Sequence, residues 1–179
     1  MKEGESMIWF TSDLHLGHAN IIHSCQRPFE TIEEMNQTLI HNYNSMVAKN
    51  DTVYILGDLS FRIPVEEAND LIRKLKGKKI LIRGNHDKQY DPTLFEGIYD
   101  FYELKGFYKY PIVLMHYPML EWPKSRQGSL HLHGHQHNKF EYNERMKQAD
   151  ILRYDVGVDA NDYFPVSLNS IKDYMTKNI

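Results

Sequence analysis

Five apolar runs in this chain each stop on Asp, Asn or His, and that pattern restricts the fold more tightly than anything else in it. Residues 7–12 run into Asp13-Leu14-His15, residues 53–56 into Gly57-Asp58, and residues 80–83 into Gly84-Asn85-His86-Asp87. Residues 112–115 run into His116, and residues 130–133 into Gly134-His135-Gln136-His137. Each run has the length of a strand. Open α/β folds gather their ligands outside the carboxyl ends of strands. Five such endings in order therefore predict loops that converge on one edge of a sheet, carrying side chains that bind metal.

Helical patterns fill the intervals. Thr31 and Glu34 have the spacing of a capping box. Behind them Ile32, Met35, Leu39, Tyr43 and Met46 keep helical period, which predicts a helix to about Ala48. Pro64 opens a second helix through Val65, Ala68, Leu71, Ile72 and Leu75, with Gly77 as its stop. Pro165 and Ser167 introduce a last one through Leu168, Ile171 and Met175. The aromatic stretch 98–113 surrounds Lys105-Gly106 and predicts a strand pair turning near that glycine. Its aromatics suit sheet core and edge packing better than a ligand box. The order β-α-β-α-β, then strands, then a helix, implies a layered α/β domain, doubly wound in its first half and strand-rich in its second.

At 179 residues one well-buried domain is expected, over residues 7–179, behind a flexible polar tail at residues 1–6. A net charge of −3 argues against an extended surface for duplex nucleic acid, though not against a nucleotide entering a metal site. Cys25 is the only cysteine, which excludes an internal disulfide and a cysteine-based zinc site. No apolar stretch approaches the roughly 20 residues that span a membrane, and the tail lacks a secretion signal's apolar core. A cytoplasmic location is expected, as a monomer or homodimer.

The endings carry their own chemistry. Asp13 and His15 can reach one ion from a single loop, and Asp58 has two carboxylate oxygens with which to bridge two ions. Asn85 offers a neutral carbonyl oxygen, and His116, His135 and His137 offer imidazole nitrogens. Two carboxylates against two divalent ions leave net positive charge, which suits a phosphate and a bridging hydroxide. Paired ions about 3.5–4 Å apart clamp the attacking and leaving oxygens of an in-line displacement.

At these residues the chain resembles the calcineurin-like metallophosphoesterase superfamily, whose pattern D-x-H, G-D, G-N-H-D/E, H, G-H-x-H is complete here from about Ile8 to His137. The resemblance implies a β-sandwich flanked by helices, an α/β (α+β) fold with the site at the C-terminal ends of its strands. It implies that Asp13, His15, Asp58 and His137 hold one ion, and that Asp58, Asn85, His116 and His135 hold the other. His86 would then be the catalytic histidine at the leaving oxygen. Residues 9–18 and 130–135 look like a subgroup of small bacterial and phage phosphoesterases without a cap. Manganese is the expected metal, while Fe, Ni, Zn or Co suit the same mixed N/O donors.

The expected activity is that of a phosphodiesterase on a small nucleotide-like substrate. A phosphomonoesterase with the same metals is the alternative. A non-catalytic scaffold is disfavoured by the intact motifs, and a nuclease for long DNA by the lack of a basic surface. His18, Arg27, Trp122, Lys124 and Arg126 are candidate substrate contacts, the last three on the loop 121–128, expected beside the site. Taken singly, each of these residues has a bland reading. Asp13 and Asp58 could cap turns, His116 could be a satisfied core histidine, and Arg27 could be structural. His131, His133 and Asp87 read as structural or supporting residues, and His23 and His41 as ordinary helix or loop positions.

Overall fold

The structure, a computed structural model, describes residues 6–176. Residues 1–5 of the expected tail lie outside that range, as do 177–179. The strands in chain order are β1 (Ile8–Thr11), β2 (Thr52–Ile55), β3 (Lys78–Ile82), β4 (Gly97–Tyr99), β5 (Tyr102–Leu104), β6 (Ile112–Leu114), β7 (His131–His133), β8 (Arg153–Asp155) and β9 (Val166–Ser167). The helices are α1 (Asn20–Ser24), α2 (Ile32–Met46), α3 (Val65–Arg73), α4 (Phe140–Gln148) and α5 (Leu168–Thr176). All five apolar runs form strands, but they divide between two sheets. The first has the order β4-β3-β2-β1-β9 and the second β5-β6-β7-β8.

β1 to β4 are mutually parallel, with Trp9, Val53 and Lys79 in register, and β9 closes the edge antiparallel to β1. Alternation then sorts their side chains. Trp9, Val53, Ile55 and Leu81 pack with Met35, Leu39 and Tyr43 of α2 and with Ala68 and Ile72 of α3. Phe10, Tyr54, Leu56 and Ile82 point the other way, into a second core with Ile112, Leu114, Leu132 and Tyr154. Strands buried on both faces read as continuous apolar runs, which is why they stood out in the sequence. The expectation of a doubly wound first half is corrected. The strand order runs one way, and α2 and α3 share one face because the second sheet occupies the other. The fold is a two-sheet sandwich with flanking helices.

Local chemistry sets the helix ends. The Thr31 side chain accepts from Glu34 N at 3.1 Å, one half of the expected box. Glu34 turns to Glu30 N rather than to Thr31. α2 stops at Met46, short of Ala48, because Val47 is extended. Gly77, at φ +83°, follows α3 as expected. Ser167 Oγ accepts from Ser170 N and starts α5. β5 and β6 form the expected antiparallel pair around Gly106, whereas β4, from the same aromatic stretch, joins the first sheet. Tyr102 and Tyr108 pack into the second core, and Tyr99, Phe101 and Phe107 stay exposed. No helix among the described residues is long and apolar enough to cross a membrane.

Candidate metal centre

The C-terminal ends of the two sheets meet, and the polar endings interlock there through backbone bonds. Asp13 N donates to Gly57 O at 3.0 Å, His15 N to Asp58 O at 2.9 Å, and Gly134 N to His116 O at 3.0 Å. Across the sheets, His135 N donates to Asp13 Oδ2 at 2.9 Å. Gly57 is at φ +92°, and a Cβ there would sit 2.6 Å from Gly84 Cα. At Gly134 an added Cβ would collide with the Ser12 hydroxyl and with Asp13 Oδ2. Asp13, His15, Asp58, His135 and His137 themselves have positive φ, between +49° and +73°. That conformation is uncommon for residues with side chains and concentrates at functional sites.

These constraints aim seven side chains at one volume. Asp58 Oδ1 accepts from His86 N at 2.9 Å. Its Oδ2 lies 3.5 Å from His15 Nε2 on one side and 3.6 Å from His116 Nε2 on the other. His116 Nδ1 must donate to Leu56 O, 2.7 Å away, so Nε2 is the nitrogen turned into the centre. It faces Asn85 Oδ1 at 3.0 Å and His135 Nδ1 at 3.2 Å. On the other side, Asp13 Oδ1 and His15 Nε2 are buried without a hydrogen-bond partner. His137 Nε2 is 3.9 Å from Asp13 Oδ1, and its Nδ1 is held by Asp159 Oδ2 at 2.9 Å.

Buried acceptors left orphaned and facing one another are costly unless a cation lies between them. The donor set therefore fits divalent metal, and two of its geometric clusters have Asp13 in common. Asp13, His15 and His137 form one geometric ligand cluster, and Asp13, Asp58 and His116 another. A third, of Cys25, His137 and Asp159, is a poor cation site. Asp159 is already neutralised by Arg27 at 2.7 Å and approached by Lys139 at 3.6 Å.

Electrostatics follow from burial. Burial pushes the Asp13 carboxyl up to about 6 and His15 down to about 2, so His15 is a neutral imidazole at any ordinary pH. Burial also opposes the charge on His137, yet the hydrogen bonds to Asp159 and Cys25 and the charge of Asp13 together outweigh it and raise the group to about 10. Asp159 is held down to about 2, because His137 and Arg27 overcome the penalty of its own burial.

Residues 6–156 match the family model described as calcineurin-like phosphoesterase. The chain belongs to this family. Members of the calcineurin-like phosphoesterases generally hydrolyse phosphoesters and typically bind two divalent metal ions. Among similar proteins is an uncharacterized protein of Methanocaldococcus jannaschii, 38% identical over 95% of this chain and 92% of its own. The Gene 66 protein of Mycobacterium phage L5 is 28% identical over 87% of each chain. The crystal structure of a protein of unknown function from Aquifex aeolicus matches with a TM-score of 0.71 at 29% identity, covering 94% of this chain and 99% of that one.

Around this centre the remaining candidates separate. The His86 ring rests on Phe61, centroids 4.0 Å apart, and is 5.7 Å from His15. His18 sits at the rim, its Nδ1 3.4 Å from that of His15. The other four expected substrate contacts are corrected. Arg27 is buried, spent on Asp159 and on the carbonyls of Asp13 and Leu14. Trp122 is buried against the His131 ring at 5.4 Å, and its indole N–H donates to Ser129 O.

Lys124 lies over Tyr110 at 5.8 Å, and Arg126 pairs with Glu121 in solvent. β6 and β7 are parallel, so their connection must return to the opposite edge before β7 begins. That geometry carries residues 121–129 away from the centre. Two contributors were missed. β8 ends on Asp155, and the turn after it supplies Asp159. The signal was present in Tyr154-Asp155-Val156-Gly157, a sixth short run with a polar ending.

Proposed function

We propose that this calcineurin-like phosphoesterase is a dinuclear phosphodiesterase for small nucleotide-like substrates. Asp13, His15, Asp58 and His137 would hold one ion, and Asp58, Asn85, His116 and His135 the other. The observation that carries this reading is Asp58 Oδ2, placed between His15 Nε2 and His116 Nε2, with the orphaned Asp13 Oδ1 and His15 Nε2 on one flank. Bound there, two divalent ions supply Lewis acidity, polarising a phosphoryl oxygen and lowering the pKa of water.

The chain's own groups do the rest. His86 has no protein partner on either ring nitrogen among the described residues. Its backbone is fixed by Asp58 and its ring by Phe61. It is therefore placed to donate a ring N–H to the leaving oxygen as that bond breaks. Beyond Asn85 a depression of about 260 Å³ is lined by Arg83, Gly84, Asn85, Asp100, Met115 and Tyr117. Tyr117 is 41% exposed, with its ring 4.5 Å from that of His135. One aromatic face, one thioether and a charged rim of Arg83 and Asp100 suit a planar polar heterocycle better than an acyl chain. This favours a diester with such a substituent.

A phosphomonoesterase is the second reading. It is favoured by Arg62, whose guanidinium lies 5.2 Å over the Phe61 ring that also packs on His86, and could meet the extra charge of a monoester.

Matched aryl phosphomonoester and diester substrates, with Mn²⁺, Ni²⁺, Zn²⁺ or Mg²⁺ added in turn, test both readings. Faster turnover of the diester supports the first, and of the monoester the second. A folded, metal-loaded protein inert toward both would overturn them. His86→Ala should keep its metal and lose about 10²–10⁴-fold in turnover, while Asp58→Ala should lose metal. Two variants as active as the parent would refute these roles.

A further inference from the structure

We infer that Asp159 is a positioning residue for His137, and that Arg27 is the clamp that holds it there. The inference rests on the ligand assignment proposed above. Asp159 lies in the turn Val158–Ala160 after β8, and Arg27 lies just after α1. Their side chains are fully buried and meet as a fork, Arg27 Nε to Asp159 Oδ1 at 3.1 Å and Arg27 Nη2 to Oδ2 at 2.7 Å. The guanidinium also donates to Leu14 O at 3.1 Å and to Asp13 O at 2.7 Å. It thus grips the backbone of the first loop and the carboxylate of the last one together. Such bidentate geometry is specific to Arg, since Lys presents a point charge.

The carboxylate has one further task. Its Oδ2 is 2.9 Å from His137 Nδ1. An ionised carboxylate only accepts, so Nδ1 carries the hydrogen and Nε2 is the nitrogen turned toward Asp13 Oδ1. A ligating histidine whose second nitrogen bonds a carboxylate has its ring orientation and its tautomer both fixed, and it becomes a stronger donor. The Cys25 sulfur also lies within 4.8 Å of the His137 and Asp159 ligand atoms. By contrast, His116 is oriented by a main-chain carbonyl, Leu56 O. The two ion positions therefore depend on different supports, and only the Asp13–His15–Asp58–His137 group depends on Arg27 and Asp159.

Titrating the metal-free parent and Asp159→Asn with Co²⁺, followed by calorimetry and by hyperfine-shifted proton spectra, tests this. The parent should bind two ions. Asp159→Asn should bind one of them about ten- to a hundredfold more weakly, keep the other within about twofold, and lose one exchangeable imidazole N–H signal. Asp159→Glu should recover part of that affinity. A merely structural role would lower thermal stability or weaken both ions together, and either result without the selective loss overturns the inference. So does parental affinity at both positions. A parent that binds no pair of ions overturns the ligand assignment itself, a result distinguishable from the others. If Asp159→Asn does not fold, Arg27→Met/Asp159→Asn removes both buried charges at once, and the same selective loss is expected of it.

Discussion

Asp87 shows how much of the centre's geometry is enforced by residues that touch no ion or substrate. Its two oxygens accept from the backbone N–H groups of Asp58, Leu59 and Gly84 at 2.7–3.0 Å, and from the Tyr90 hydroxyl at 3.0 Å. Asp87→Ala would leave three main-chain donors without their acceptor, at about 1–3 kcal/mol for each that water cannot reach. The expected result is a lower urea midpoint together with loss of bound metal, measured on the same preparation. Loss of stability with both ions retained would show that Asp87 supports the turn and not the centre. Asp87 was legible as a supporting residue because its motif placed it beside Asn85 and His86. Arg27 was not. Its partner is Asp159, 132 positions away, and neither residue type nor spacing tells a buried guanidinium clamp from a phosphate contact.

Elements were legible to the degree that burial imposed a period on them. β1, β2 and β3 are covered on both faces, so their apolar runs stood out, and α2 advertised itself through a stripe and a cap. Thr31→Ala should cost about 1 kcal/mol and leave metal binding at the parental level, with urea unfolding and metal content as the paired measurements. An unchanged midpoint would show that the Thr31 bond to Glu34 N is matched by water. α4 was missed because Tyr142 and Asn143 alone are buried in it, too few to make a stripe. β9 is two residues long and earns its place only by pairing with β1. The division into two sheets was also invisible locally, since strand endings look alike whichever sheet they close. That same ambiguity put the loop 121–128 beside the centre, when the parallel pairing of β6 and β7 carries it to the far edge.

At the scale of the molecule, acid sensitivity follows from histidines that line the outer face of the second sheet. His131 donates from Nδ1 to Val113 O at 3.1 Å and accepts at Nε2 from Met119 N at 3.0 Å, so both nitrogens are engaged only in the neutral ring. Burial lowers it from 6.5 to about 3, and His133 from 6.5 to about 4. The unfolded chain therefore binds protons that the folded one refuses. Stability from these groups is complete above about pH 6.5 and declines as pH falls toward the folded values, by about 1.4 kcal/mol per pH unit for each ring. Urea unfolding of the chelated protein at pH 7, 6 and 5 should show this, and His131→Gln should be less stable at pH 7 with a shallower decline. Equal slopes in parent and variant would remove His131 as the cause.

The left-handed backbone at Asp13, His15, Asp58, His135 and His137 also bears on how such a protein ages over evolutionary time. Glycine or asparagine would relax each position, so a lineage released from selection on chemistry gains stability by giving up these side chains one at a time. Decay would then begin in the loops and spare the sandwich. A descendant with a sturdier fold and a silent centre is the expected fossil, and this chain keeps all five of these residues unrelaxed.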